Sequence, residues 1–437
     1  SSNFGPANKY GFYPAASVAW RLSEESFLKD AKWVSDLKLR IGYGQTGNQR
    51  IPPYQYINRY QSSIINAAYA VGGGNTLTTG VWQNAYQNAD VKWESLKALN
   101  VGIDFTIFDG KFDGSIDAYS KKTTDMLYNL PLPVSVVGGG SAPFVNIGDM
   151  SNKGVEFNVA YHHGRKADDP FKFDVGVNFS KNVNKIDRLA PGIFNQVYGN
   201  YRSLQTSVLQ QDAAFGSFYG YKTNGIYQST AEVQSGPSYA GARVGGLKYM
   251  DINGDGIIDP KDRTIIGDPN PDFTYGVNLN ASYKNFDISA FLYGVQGNDI
   301  FEATRYFTDF PSFDGAKSTR LLNAWSPSNR SSNIPSAYAG ASDVEFASSS
   351  YYIQNGSFLR LKNIQIGYSI PVKVFGTKSG VSRFRIYASA TNLFTITKYT
   401  GLDPEVTQIT DTFTAPGVDQ GVYPSPRQFL LGINVGF

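Results

Sequence analysis

The sequence contains no cysteine, and charged residues make up only 17% of its 437 residues. Without thiols the chain forms neither disulfides nor thiolate metal sites, and it has no cysteine nucleophile. Soluble proteins carry about 25% charged residues, so the composition is not that of a typical soluble domain. The formal net charge of +3 is too small to indicate a nucleic-acid partner.

Long apolar runs are also missing, and their absence excludes a transmembrane helix, which needs about 18 consecutive apolar residues. The sequence begins SSNFGPANKY, without an initiator Met and without the basic and apolar segments of a signal peptide. We therefore expect that a signal was removed or that the chain is a piece of a longer one. A membrane β-barrel stays possible, because its alternating strands escape a hydropathy window.

Alternation of apolar and polar residues is widespread and predicts strands. Over 101–107 the odd-numbered residues are apolar and the even-numbered ones are Gly, Asp and Thr. Asp109-Gly110 follows, a dipeptide that favours a two-residue type I′ hairpin, and Lys284-Asn285 predicts a second tight hairpin. The polar faces fit solvent or a water-filled lumen. A β-sandwich with one solvated face predicts the same local pattern.

The connections between strands separate these two folds. Strands are predicted at 14–22, 36–46, 96–108, 111–122, 152–163, 171–183, 272–284, 286–296, 357–370, 383–393 and 428–437. Short connections alternate with long ones, which lie near 47–95, 123–151, 184–271, 297–356 and 394–427. Outer-membrane barrels have short periplasmic turns and long extracellular loops, whereas a compact sandwich rarely tolerates loops this long. The sequence therefore favours an all-β, antiparallel transmembrane β-barrel.

The end of the chain supports the barrel. RQFLLGINVGF alternates and ends on Phe437, similar to the assembly signal of bacterial outer-membrane barrels. About eleven strands are predicted, whereas a complete single-chain barrel has an even number. We therefore expect residues 1–437 to be the C-terminal part of a larger barrel, without a plug domain.

An ordered set of motifs carries a family resemblance. The motifs are SVAWRLSEESF (17–27), LKLRIGYGQTGNQ (37–49), DAYSKKTTDMLYNLPLP (117–133), NIGDMSNKGVEFN (146–158), GYKTNGIYQ (220–228), YMDINGDGIID (249–259), IGDPNPDFTYGVN (266–278) and TNLFTITKYTGLDPEV (391–406). In this order they resemble the C-terminal barrel portion of the SusC/RagA family of TonB-linked outer-membrane transporters of Bacteroidetes. The match covers nearly the whole chain.

The resemblance implies a 22-stranded barrel in the bacterial outer membrane, closed by an N-terminal plug and energised through TonB. It also implies a SusD-like surface lipoprotein acting as a lid, and substrates that are mostly oligosaccharides and sometimes peptides. Neither a plug nor a TonB box occurs in this sequence. The leading hypothesis is import of a nutrient oligomer. The alternatives are a surface adhesin or receptor that binds a partner without transport, and a barrel hydrolase.

One stretch has the oxygen spacing of an EF-hand-type calcium loop. DINGDGIIDPKD spans 251–262, with Gly256 at the sixth position, where the sharp turn requires it. The predicted ligands are Asp251, Asn253, Asp255, Asp259 and Asp262, together with the backbone carbonyl of Ile257. Hard oxygen ligands favour Ca²⁺ over Zn²⁺, and Asp instead of Glu at the twelfth position predicts weak binding.

The flanks of this loop argue for a structural role. They do not form two helices, and Pro260 falls inside the loop, so a helix-opening calcium sensor is excluded. We expect Ile258 to pack inward. The alternative is a metal-free loop held by Asx turns.

Other chemistry-bearing residues give weaker indications. His162 and His163 are adjacent on a strand and face opposite sides, so they cannot form one site. Tyr161 and Tyr283 are expected in an interfacial girdle. The long loops are rich in Tyr, Asn, Ser and Gly, a composition that suits adaptable contacts with a partner; in them, Tyr60 is a candidate for stacking on sugars, as is Tyr69.

Overall fold

A computed structural model describes residues 1–70, 77–129, 140–141, 143–164, 166, 169–191, 196–375, 380–406 and 416–437. Eleven strands follow one another in a single antiparallel path, each paired with its neighbours in sequence order. They are β1 (Ala15–Arg21), β2 (Val34–Asn48), β3 (Glu94–Ile107), β4 (Phe112–Thr124), β5 (Gly148–His163), β6 (Phe171–Leu189), β7 (Phe273–Tyr283), β8 (Phe286–Gln296), β9 (Phe358–Ser369), β10 (Arg383–Thr391) and β11 (Gln428–Gly436). We call this sheet the wall. It confirms the all-β, antiparallel prediction and all eleven predicted strands.

The hairpin between β3 and β4 shows how the sequence sets the register. Asp109 and Gly110 both have positive φ, 56° and 75°, as a type I′ turn requires. Ile107 therefore lies opposite Phe112, and Ile103 lies opposite Ile116. Because side chains alternate along each strand, the apolar residues of both strands share one face of the wall.

Further strands lie mainly within the long connections. They pair as Arg59–Ala70 with Leu77–Ala85, Leu127–Asn129 with Phe144–Asn146, Thr223–Ile226 with Leu247–Tyr249, and Asp299–Glu302 with both Ile353–Asn355 and Val418–Asp419. A four-stranded sheet contains Gln196–Tyr201, Leu204–Leu209, Phe218–Tyr221 and Arg263–Gly267, and Thr395–Thr397 pairs with β9. The described helices are short.

The described α-helices are Thr230–Ser235 and Arg305–Thr308, and the 3₁₀ turns are Pro6–Asn8, Leu22–Glu24, Pro260–Asp262, Thr319–Asn323, Ser350–Tyr352 and Val372–Phe375. No helix in the described part of the chain has the length and apolarity to cross a membrane.

Burial is concentrated in the long connections rather than in the wall. β1 is exposed along its whole length, and both faces of the wall are largely accessible. A large aromatic core instead joins the connections 184–271 and 297–356, and we call it the loop core. Its members include Phe218, Tyr227, Tyr239, Tyr249, Phe301, Tyr306, Phe310, Phe346, Tyr351 and Tyr352. Many loop tyrosines are therefore packed inside a folded unit and are not available as surface contacts.

Candidate functional site

The calcium-type loop connects the strand Leu247–Tyr249 to the strand Arg263–Gly267. The carboxylate of Asp251 accepts hydrogen bonds from the N–H of Gly254 at 2.7 Å and from the N–H of Gly256 at 2.8 Å. Both glycines have positive φ, 76° and 84°, a conformation that other residues rarely adopt. Ile258 is buried, as predicted. The sequence thus places its glycines where the loop turns most sharply.

The next polar side chains cap the backbone in the same manner. Asn253 Oδ1 accepts from Asp255 N at 2.9 Å, and Asp255 Oδ1 accepts from Ile257 N at 3.0 Å. Asp259 Oδ1 accepts from Lys261 N at 2.7 Å. These are Asx turns, so the loop is held by the side-chain-to-backbone bonds that the metal-free alternative describes.

Asp262 closes the loop from its buried end. Its carboxylate accepts hydrogen bonds at 2.9 Å from the N–H of Ile252 and from the N–H of Asp259. Burial by itself raises the pKa of Asp262, but these backbone donors outweigh it and lower the pKa below its ordinary value. A buried carboxylate that stays ionised fixes both ends of the loop.

The donor set of this loop suits a hard cation, because it consists of carboxylate, amide and carbonyl oxygens. Within the described residues, however, no group of three or more His, Asp or Glu side chains lies close enough together to hold a metal ion. Calcium binding therefore stays a prediction. The residues that would hold the ion are Asp251, Asn253, Asp255, Ile257, Asp259 and Asp262.

Ion pairs connect three neighbouring strands on the polar face of the wall. Arg40 on β2 bonds Asp104 on β3 at 2.7 Å and Asp117 on β4 at 3.1 Å. Lys38 also bonds Asp104, at 2.7 Å. Because charges of opposite sign face each other across the strands, this face is stable in contact with water, as the lumen of a barrel requires.

Neutral amides occupy the same polar face farther along β5 and β6. Asn182 Nδ2 and Asn184 Nδ2 both donate to Asn152 Oδ1, at 3.1 and 2.8 Å, and Tyr119 Oη donates to Asn182 at 3.2 Å. More asparagines follow towards the short connections: Asn158, Asn178, Asn278 and Asn280, all exposed. The polar face thus offers uncharged donors and acceptors to whatever it contacts.

The two histidines have opposite surroundings. His162 lies on the polar face between Asp113 of β4, 2.5 Å from its Nε2, and Asp174 of β6, which contacts its Nδ1. His163 lies on the apolar face, with its ring centroid 5.2 Å from that of Phe173. The prediction that they cannot form one site is confirmed. Sequence reasoning missed the two aspartates, because they come from other strands.

Sequence reasoning also missed a buried ion-pair network at the start of β9. Arg360 contacts Asp403 and, at 2.8 Å, Glu405. Lys362 bonds Glu405 at 2.6 Å. The two carboxylates belong to the LDPEV part of the last quoted motif, so two acidic residues close together in the sequence were the indication available. The network anchors the connection 394–427 to the wall and lines a cavity of about 170 Å³.

The tyrosines singled out from the sequence differ in their contacts. Tyr60 and Tyr69 are 64% and 56% exposed on the hairpin of the connection 47–95, so their role as ligand contacts stays a prediction. Tyr161 packs with Phe112 at a centroid distance of 4.8 Å, near the short connections. Tyr283 is exposed at the end of β7. Both positions are consistent with an aromatic girdle at that edge of the wall.

Comparisons with known proteins all find similarity to TonB-dependent receptors. The family model described as "TonB dependent receptor-like, beta-barrel" matches residues 1–393. TonB-dependent receptor P3 of Formosa agariphila is 36% identical over 445 residues, covering 100% of this chain and 43% of that protein. TonB-dependent receptor SusC of Bacteroides thetaiotaomicron is 33% identical over 452 residues, covering 100% of this chain and 41% of that protein.

A solved structure described as the RagAB peptide transporter has a TM-score of 0.80 and 25% identity, covering 100% of this chain and 44% of that one. The chain thus spans less than half the length of the relatives it matches.

Proposed function

The chain belongs to the TonB-dependent receptor-like β-barrel family, and from this membership we propose that it is the C-terminal part of a transporter that imports a nutrient oligomer. The family places the barrel in the bacterial outer membrane and is a family of receptors, not of enzymes. The observation that carries the proposal is the polar face of the wall, where ion pairs and exposed amides lie opposite an apolar face. Such a wall separates lipid from a water-filled path.

The proposed substrate is an oligosaccharide, with a peptide second. Exposed asparagines on the polar face support a neutral, polar substrate, because amides bond hydroxyl groups and peptide groups alike. One similar solved structure is a peptide transporter, which supports a peptide as the second candidate substrate. Several charges of this face, such as those of Arg40 and Asp104, already pair with one another, which leaves the exposed amides to contact an uncharged substrate. We therefore rank the oligosaccharide first.

The proposed partners follow from the same membership. We expect a SusD-like lipoprotein lid over the long connections, and coupling of the complete transporter to TonB. We further propose that the long connections face outward and that the loop 251–262 binds a structural calcium ion there. The short connections between strands would then face the periplasm.

Uptake by the complete transporter tests the function. Cells that express it should accumulate a labelled oligosaccharide or peptide, and deletion of TonB should abolish accumulation while surface binding persists. Binding without accumulation in TonB-containing cells would support the adhesin alternative. Release of shorter products by the purified protein would support the hydrolase alternative instead.

A further inference from the structure

Four lysines lie on the apolar, outward face of four neighbouring wall strands. They are Lys97 on β3, Lys122 on β4, Lys153 on β5 and Lys181 on β6. All four side chains are exposed. On each strand the sequence numbers of the lysine and of the outward apolar residues differ by an even number. The alternation of side chains therefore puts the lysine on the same, outward face. Neighbouring strands are about 4.8 Å apart, so the lysines form one cluster, which we call the lysine belt.

The lysines of the belt lie at one height. Each is ten residues from the end of its strand at a short connection; those ends are Ile107, Phe112, His163 and Phe171. Ten residues rise about 33 Å along a strand. A strand tilt of about 40° reduces this to about 25 Å across the bilayer, which is the height of the apolar band of such barrels. The belt therefore lies where hydrocarbon gives way to lipid headgroups.

The outward side chains below the belt carry no charge. They are Leu99, Val101, Ile103 and Phe105 on β3; Gly114, Ile116, Ala118 and Ser120 on β4; Val155, Phe157, Val159 and Tyr161 on β5; and Phe173, Val175, Val177 and Phe179 on β6. The lysine is thus the first charged outward residue beyond the apolar band on each strand. Scattered solvent-exposed lysines would not coincide in this way.

Like charges lie close together in the belt, and the nearby Asp149 acts on Lys122 only at a longer range than an ion pair. Lys97 lies directly opposite Lys122 in the strand register, and like charges in that position repel. Within the part of the chain that the structure describes, none of the four lysines forms an ion pair, whereas Lys185, farther along β6, bonds Asp212 at 2.6 Å. An anion bound from outside would offset the repulsion.

We propose that the lysine belt binds the phosphate groups of a phosphorylated lipid headgroup. A lysine ammonium is a compact charge that pairs well with phosphate, and its long stem lies along apolar surface while the charge reaches the interface. Near an anionic lipid surface each lysine strengthens binding by a factor of about five. The assignment to the outer leaflet rests on the proposed orientation, but the binding itself does not.

Native mass spectrometry of the complete transporter in detergent, titrated with a bisphosphorylated glycolipid, tests the belt. The quadruple variant Lys97→Gln, Lys122→Gln, Lys153→Gln, Lys181→Gln should bind it at least about tenfold more weakly than wild type. The control changes Lys29, Lys32, Lys166 and Lys284 to Gln, which removes the same charge from exposed lysines near the short connections. This control should bind the glycolipid like wild type, and both variants should keep the heat-dependent gel mobility of a folded barrel.

Two competitors decide what the belt recognises. The same glycolipid without its phosphates should bind wild type as weakly as it binds the quadruple variant, and millimolar inorganic phosphate should not displace the intact lipid. Equal loss in both variants would overturn the proposal in favour of non-specific charge. Displacement by inorganic phosphate would overturn it in favour of a free-phosphate site. Neither result depends on import, so the belt and the proposed function fail separately.

Discussion

The phenol of Tyr249 donates a hydrogen bond to the carbonyl oxygen of Glu345 at 2.9 Å. Tyr249 belongs to the connection 184–271 and Glu345 to the connection 297–356, and both residues are buried. In the same core Phe218 packs on Phe301 at a centroid distance of 5.8 Å. These contacts join residues that are far apart in sequence, so the two connections form one folded unit beyond the wall.

Removing the Tyr249 hydroxyl should loosen both connections together. Tyr249→Phe leaves the carbonyl of Glu345 buried without its donor, which costs about 1–3 kcal/mol. Hydrogen exchange in the complete transporter should then become faster in 184–271 and in 297–356 alike. Tyr423→Phe is the control, because that side chain is 86% exposed. Faster exchange in 184–271 alone would show that the two connections unfold separately.

Adjacent residues on β7 should respond oppositely to arginine. Leu279 lies on the outward face and Asn280 on the polar face, opposite Asp174 of β6. Leu279→Arg should destabilise the barrel by about 2–4 kcal/mol if it lies near the bilayer midplane, whereas Asn280→Arg gains a carboxylate neighbour and should cost less. Urea unfolding in lipid vesicles measures the difference. Equal costs would mean that the two faces are assigned wrongly.

Asp104 also lies on the polar face, but it is not a suitable control for the Leu279→Arg experiment. The carboxylate bonds Lys38 and Arg40, each at 2.7 Å, so arginine there would bring three cations together. The sequence places Asp104 on the polar face but does not reveal these partners.

Cysteine labelling should reveal which side the long connections face. The chain has no cysteine of its own, so any label on it must be attached to the single introduced thiol. A membrane-impermeant maleimide added to intact cells should label Ile65→Cys in the connection 47–95, whose side chain is 89% exposed. It should not label Lys111→Cys beside the turn between β3 and β4 until the outer membrane is opened. Labelling of Lys111→Cys in intact cells would reverse the orientation.

How well the sequence predicts a feature depends on how far apart the interacting residues are along the chain. The wall follows from alternation along single strands and from turn residues such as Asp109-Gly110, whose effects are local. The loop core is different, because tyrosines such as Tyr249 have their partners about a hundred residues away. No sequence periodicity predicts such a core, so the sequence of a Tyr-rich loop does not distinguish a folded loop from an exposed one.

The functional sites follow the same rule. The calcium-type loop is contained in twelve consecutive residues, so its Asx turns and its left-handed Gly256 follow from spacing. The network of Arg360 with Asp403 needs a strand and a loop to meet, and the pair of aspartates around His162 needs three strands. Only the register brings those side chains together.

Calcium should protect the loop 251–262 if the ion binds there. Adding EDTA to the complete transporter should increase proteolysis of 184–271, and returning Ca²⁺ should reverse it. Substitution alone does not decide the matter, because Asp251 also caps Gly254 and Gly256 and its loss weakens a metal-free loop too. The combined variant Asp251→Ala, Asp255→Ala should therefore be judged by its lack of response to EDTA. Wild type that ignores both EDTA and Ca²⁺ would favour the metal-free loop.

The proposed lid gives the last prediction. A stable lid needs an interface beyond about 2,000 Å², and a folded loop unit offers a fixed surface, which lowers the ordering cost of binding. We expect the complete transporter to purify in mild detergent with a SusD-like lipoprotein. Deleting 297–356 is a poor test, because it would remove half of the loop core. Leu322→Asp alters only an exposed side chain, and it should weaken the pair while exchange in the loop core stays slow. Purification of the wild-type transporter alone, with its loop core intact, would count against the lid and favour the adhesin.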